Sequence, residues 1–369
     1  MPPDSQQELF YRIALTFVKD VGSITARKLV AHFGTATDVF KASLKELKAV
    51  SGLGEVRARA FIDDTILKRA EEELEYIDKN AVSTYWFFDD DYPARLKDCA
   101  DAPILLYYSG QDVLHKEKVV AVIGTRKYTD YGQRVCEHLI ADLKAQDILI
   151  VSGLAHGIDS IAHNAALQNG LPTVGVLGHG LDMVYPASNK KLAKQMQETG
   201  GLLCEYPSGS TSDRAHFPMR NRIVAGMSDV TVVIESDVKG GALITARLAD
   251  SYNRDVAAFP GRVYDNKSSG CNELIRTNIA AMITGADDLL ELMNWNDGTK
   301  PKLVQRQLFL NLSSEEQAVY DVLKDKDSVH ADELLHLSGL SNSMLAGTLL
   351  GMEMQGLVKA LPGKFYRLD

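Results

Sequence analysis

Between residues 82 and 259 the chain repeats one pattern: a short apolar run, a turn, then a segment with helical spacing. The runs at 82–88, 104–107, 119–123, 148–151, 173–177, 230–234 and 256–259 read as short buried strands, and helical segments separate most of them. That alternation predicts an α/β fold on a parallel sheet covered on both faces, with ligands outside the carboxyl ends of the strands. Glycine turns fall there. Gly124-Thr125-Arg126, Ser152-Gly153, Gly178-His179-Gly180 and Lys239-Gly240-Gly241 each follow one of the runs.

A strand, glycine turn and helix start can hold a phosphate, because the first N–H groups of a helix are unpaired and its dipole adds partial positive charge. The stretch from Phe217 to Ser228 adds two guanidinium groups, an amide (Asn221) and an aromatic ring at a helix start. Arg126, Arg220, Arg222 and Lys239 are therefore the candidate phosphate contacts, arginine through its planar fork and lysine as a mobile point charge. Phe217 can stack on a base, worth ~1–3 kcal/mol in single-strand binders, or serve the core. The competing reading pairs Arg220 or Arg222 internally with Glu205 or Asp229, since buried arginines are usually paired.

Forty Lys and Arg against 49 Asp and Glu give a net charge of −9, which speaks against indiscriminate coating of nucleic acid. A local basic groove remains effective, because a Debye length of about 8 Å at physiological salt hides distant carboxylates. His156, Asp159 and His163 invite a metal reading, but Asp159 and His163 are one helical turn apart while His156 lies in the preceding turn, and no cysteine joins them; turn and packing roles are preferred. The four cysteines lie far apart without a CxxC pair, so neither a disulfide framework nor a zinc site is indicated. No phosphate-binding GxxxxGK[ST] loop, no GxSxG elbow and no nucleophile with an evident base is present. The expectation is a non-enzyme without metal or nucleotide cofactor. With no apolar run of about 18 residues and no signal peptide, it is expected in the cytoplasm.

Flanking segments differ from the centre. Residues 8–79 read as helices only, and Val50-Ser51-Gly52-Leu53-Gly54-Glu55-Val56-Arg57-Ala58 fits a helix-hairpin-helix pattern in which Gly52 and Gly54 let the backbone approach a DNA phosphate. A second copy at residues 18–26 has Asp20 at the first glycine position, where a carboxylate repels phosphate; packing alone is the alternative for both hairpins. Beyond residue 312 the order helix, short helix, turn, longer helix and hairpin reads as a winged helix. The expected division is 1–79 helical (SAM-like), 80–295 sheet core, 296–311 linker and 312–369 winged helix.

Taken together these residues resemble the DNA-processing protein A (DprA/Smf) family over nearly the whole chain. The resemblance rests on Asp91 to Leu96, Ala102 to Tyr107 with Gly110, Val122 to Arg126, Ser152 to His163, Gly178 to Pro186, Glu205-Tyr206-Pro207, Phe217 to Ser228, Glu235, Lys239 to Ala246, Phe259-Pro260-Gly261 and Gly270 to Ile275. It implies an extended Rossmann-like domain that forms a homodimer, binds single-stranded DNA in a basic pocket, duplex more weakly, and loads the RecA recombinase onto incoming DNA in natural transformation. By motif, the pocket maps onto Gly124, Thr125, Arg126, Ser152, Gly153, Arg220, Asn221, Arg222 and Lys239, with Phe217 as neighbouring base contact. Two departures stand out: Lys239-Gly240-Gly241-Ala242 lacks two hydroxyls common in the family, and Arg276-Thr277-Asn278 replaces a small-residue pattern. The reading is a DNA-binding recombination mediator. The alternatives are a hydrolase of nucleoside monophosphates using Glu205 or Asp159, and a transcription factor working through the winged helix.

Overall fold

The computed structural model describes residues 3–295, 312–324, 326, 328–354, 357–361 and 363–368; the expected linker at 296–311 lies outside the described residues. The chain divides into two compact units, Met1–Trp295 and Asn296–Asp369, taken separately below.

In the first unit a nine-stranded sheet runs in the order β1-β2-β6-β5-β4-β3-β7-β8-β9. Its strands are β1 (Ser83–Trp86), β2 (Leu105–Gly110), β3 (Lys118–Ile123), β4 (Ile148–Ser152), β5 (Thr173–Leu177), β6 (Gly201–Cys204), β7 (Val230–Val233), β8 (Asp255–Ala258) and β9 (Ala281–Met282). From β6 to β9 all pairings are parallel; β2 joins β6, and β1 joins β2, in antiparallel register. The apolar runs explain the layers. In β3, Val119, Ala121 and Ile123 enter one core with Ile223 and Ala246, while Val120 and Val122 enter another with Leu139 and Ala162. Burying each such valine or isoleucine stabilises by about 1.5–3 kcal/mol, so both faces must be covered by helices. Two strands, β6 and β9, lie outside the expected set; each is four residues or fewer.

Six helices precede the sheet: Pro3–Phe17, Ser23–Phe33, Ala36–Lys41, Leu44–Ala49, Gly54–Ala60 and Asp64–Asn80. Their apolar faces share one core with Trp86, Tyr107, Leu177 and Met196 from the sheet region. A buried carboxylate reinforces this contact: Glu73 accepts hydrogen bonds from the Ser208 amide (3.0 Å), the Ser208 hydroxyl (2.5 Å) and Arg69 (2.9 Å). Both hairpins form. Gly52 (φ +88°) and Gly54 (φ +66°) carry the second through left-handed backbone, and in the first Asp20 (φ +61°) takes that conformation. Among the described residues no helix is long and apolar enough to cross a membrane.

The second unit has helices Ser314–Leu323, Ala331–Ser338 and Asn342–Met354 and a small sheet of β10 (Val329–His330), β11 (Val358–Leu361) and β12 (Phe365–Leu368) in the order β10-β12-β11. Val319, Leu334, Leu345, Leu349 and Val358 fill its core. A Ser313–Glu316 capping box starts the first helix, and Gly339 (φ +68°) turns the chain between the second and third.

Candidate nucleic-acid interface

β3 is where the sheet order reverses: β4, β5 and β6 follow on one side and β7, β8 and β9 on the other. Loops leaving such a strand and its neighbour part in opposite directions and open a crevice at their carboxyl ends. Here it is a groove of about 710 Å³ whose lining includes Gly124, Thr125, Arg126, Gly153, Asp159, Tyr185, Arg214, Phe217, Arg220, Asn221, Gly240 and Gly241. Close backbone contact fixes its floor. The Thr125 amide donates to the Glu235 carbonyl (2.7 Å) and its carbonyl accepts from Ile158 (3.2 Å). Gly157 (φ +84°) is required, since a Cβ there would lie 2.3 Å from the Thr125 oxygen.

Helices His216–Gly226 and Gly241–Ser251 open onto this groove, bringing unpaired N–H groups and the positive ends of their dipoles. Arg220 forms the deepest cation. It is 4% exposed; Nη1 donates to the carbonyls of Gly153 and Val176 and Nε to Asn221 Oδ1 (3.2 Å), while Nη2 has no hydrogen-bond partner among the described residues. Burial lowers its pKa to about 10, against the opposing pull of Asp159, so it stays protonated at neutral pH. Gly153 makes room for it, because an added Cβ would lie 2.6 Å from Nη2 and 2.7 Å from Asp159 Oδ2. Burial raises the Asp159 pKa, opposed by Arg220, and its carboxylate accepts from the Ala155 amide (3.3 Å).

The outer wall is aromatic and cationic. The Arg126 guanidinium carbon stands 5.6 Å from the Phe217 ring centroid, and the Phe217 and Tyr185 centroids are 5.8 Å apart. His179 aims Tyr185: Nδ1 donates to the Gly180 carbonyl (2.9 Å) and Nε2 accepts from the Tyr185 amide (3.2 Å). Arg126 and Arg214 are exposed and have no carboxylate partner among the described residues. Such an array can hold the oxygens of more than one phosphate and stack a base beside them.

Of the sequence candidates, Gly124, Thr125, Arg126, Gly153, Phe217, Arg220 and Asn221 line the groove. Three do not. Ser152 is fully buried, its hydroxyl donating to the Val122 carbonyl (2.6 Å) inside the sheet. Arg222 points away from Arg220, ion-paired to Glu205 and donating to the Asp101 carbonyl, so the internal-pair reading holds for it. Lys239 is exposed on the turn that leads to Gly240 and Gly241, outside the lining. Gly52 and Gly54 belong to the helical hairpin, where an added Cβ meets nothing within 4 Å, so their backbone is open to a ligand. His163 is buried with Nδ1 2.7 Å from Thr173 Oγ1, and His156 is exposed. Sequence reasoning missed Arg214 and underused Tyr185. The first stands three residues before Phe217 in a polar loop, a legible signal; the second depends on a fold-level approach of two loops.

A cationic strand-end groove, in a chain that also carries helix-hairpin-helix and winged-helix modules, defines a DNA-binding α/β protein. Residues 83–294 match the model of DNA recombination-mediator protein A, residues 309–364 that of the DprA winged helix domain and residues 13–64 that of a SAM-like helix-hairpin-helix tandem. Protein Smf of Synechocystis sp. is 31% identical over 98% of this chain and 99% of its own length. The X-ray structure of DNA processing protein A from Streptococcus pneumoniae aligns with a TM-score of 0.66 and 33% identity, covering 77% of this chain and 97% of that one. A Helicobacter pylori DNA processing protein A, solved for its single-stranded DNA binding mode, aligns with a TM-score of 0.53 and 30% identity over 58% of this chain and 96% of that one. The chain belongs to the DNA recombination-mediator protein A family, a family of DNA-binding mediators and not of known enzymes.

Proposed function

We propose that this protein binds single-stranded DNA in the strand-end groove and, so loaded, protects incoming DNA and delivers it to a RecA-type recombinase in natural transformation. It acts in the cytoplasm as a homodimer, and the division into 1–79, 80–295, 296–311 and 312–369 is the working domain plan. The observation that carries the reading is the coexistence in one groove of Arg126 and Arg214, without a carboxylate partner among the described residues, and Arg220 Nη2, without a hydrogen-bond partner among them. Each cation can neutralise one phosphate, and the Phe217–Tyr185 platform accepts any base, which favours a flexible strand over a duplex. Lys239, on the adjoining turn, adds charge at longer range. The hydrolase reading lacks its first acid, because Glu205 faces Arg222 outside the groove.

The competing site is the winged helix, whose third helix, Asn342–Met354, carries no lysine or arginine. Titrating single- and double-stranded oligonucleotides against the full chain and a chain lacking residues 300–369 separates the two. Single-strand affinity within about tenfold of the full chain supports the groove; its disappearance in a folded truncation moves the site to the winged helix.

A further inference from the structure

Beyond Arg126 the chain continues through exposed Lys127 and Tyr128 to Thr129, which caps the helix Asp130–Asp142 and lines a second groove of about 840 Å³. Its opposite wall is the loop 260–268, held across by the Tyr131 hydroxyl donating to the Pro260 carbonyl (2.8 Å). We infer that a single strand seated in the first groove runs on over Lys127 and Tyr128 into this second one, where Arg134 and Arg262 meet its phosphates and Tyr264 stacks on a base. The inference rests on the reading of the first groove as a single-strand site and extends it.

Continuity is the first support. Thr125 lines one groove and Thr129 the other. Four residue steps separate them, at most about 14 Å of chain, so a few further nucleotides bridge the gap. Charge is the second. Segments 126–134 and 261–268 carry the cations Arg126, Lys127, Arg134, Arg262 and Lys267 against Asp130 and Asp265, in a chain whose acidic residues outnumber its basic ones. Asp265 is engaged locally, accepting from the Lys267 amide (2.9 Å) and the Ser268 hydroxyl (3.3 Å), whereas Arg134 and Arg262 are exposed without a carboxylate partner among the described residues. The third is Tyr264, which is 100% exposed, with Tyr128 and Tyr131 at 45% and 40%. Exposed aromatic rings interleaved with unpaired cations form a surface suited to a single strand, because every base has a face to stack and the backbone finds charge between the rings.

The test compares oligo-dT of about 5 and about 20 nucleotides, one near the lower end of the roughly 4–16 nucleotides that a single-strand-binding module covers and one beyond its upper end. Arg134→Ala with Arg262→Ala, and separately Tyr264→Ala, are expected to leave the short oligonucleotide unaffected. For the long one, the double variant lowers the log–log salt slope by about 1.4, and Tyr264→Ala weakens binding roughly tenfold. Arg126→Ala is the internal control and weakens both lengths. If it does so while these variants bind the long oligonucleotide as wild type does, the second groove is refuted and the first stands. If Arg126→Ala changes neither length, the first reading fails and this one with it. All substituted side chains are exposed, and a thermal melt confirms that each variant is folded.

Discussion

Arg220 and Arg222 leave one helix two residues apart and end in opposite surroundings. Arg220 enters the strand-end groove, fixed by carbonyls and the Asn221 amide oxygen, with Nη2 open. Arg222 enters a cleft of about 570 Å³ against the first hairpin, where Glu205 and the Asp101 carbonyl take its guanidinium. The same residue type thus lines an open groove in one place and is a structural ion in the other. What differs is the directly bonded acceptor: carbonyls hold Arg220, with Asp159 near but not bonded to it, whereas the Glu205 carboxylate bonds Arg222 and cancels its field for any incoming phosphate. A count of cations in a motif does not locate a site; the pairing of each one does.

The contrast is most sharply tested by Arg222→Ala. Removing one partner leaves the largely enclosed Glu205 carboxylate, 13% exposed, without its ion pair, and a loss of about 3–5 kcal/mol in urea-derived stability is expected, with single-strand affinity of the folded fraction unchanged. A stable variant with weakened DNA binding would reverse the assignment of the two arginines. Gly153→Ala acts on the other side of the comparison. Its Cβ overlaps Arg220 Nη2 and Asp159, so about 1–3 kcal/mol of strain accompanies reduced affinity; full affinity in this variant would mean that Arg220 does not contact the strand.

Acid offers a third distinction. Burial, with Arg220 acting in the same sense, lowers the pKa of His163 to about 3. Its folded pKa lies below the unfolded value of about 6.5, so the contribution is complete above pH 6.5 and is lost as pH falls toward 3, because only the unfolded chain takes up the proton. Stability should fall by at most about 1.4 kcal/mol per pH unit from this group. Between about pH 6.5 and 5, before most carboxylates titrate, His163→Asn should show a shallower slope than wild type; an identical slope would place the acid sensitivity elsewhere.

Much of the fold was legible because buried parallel strands leave continuous apolar runs, as in Val119 to Ile123 and Ile148 to Val151. β6 and β9 were not, since β6 opens on a glycine and leaves only Leu202, Leu203 and Cys204 as an apolar run, and β9 has two residues; β6 is recognised by its place between β2 and β5. Within the site, the glycine turns and Arg126 followed from position after a strand. Ser152 did not, because it still belongs to β4 and its hydroxyl finds a carbonyl in the next strand. Arg222 was separable in principle: at 100° per residue, positions 220 and 222 stand about 200° apart on a helix and cannot line one wall. Tyr185 and Phe217 meet only because the loop after β5 folds against the start of the helix His216–Gly226, information that no spacing along the chain contains.

The most direct trial of the groove is fluorescence anisotropy of labelled oligo-dT across a salt series for wild type and Arg126→Ala. Arg126 is exposed, stands over the Phe217 ring and has no carboxylate partner among the described residues, so its removal should leave folding intact, weaken binding and lower the log–log slope by about 0.7, one single-strand phosphate contact. An unchanged slope and affinity in the folded variant would contradict the account, and the sugar-phosphate chain would have to be held elsewhere.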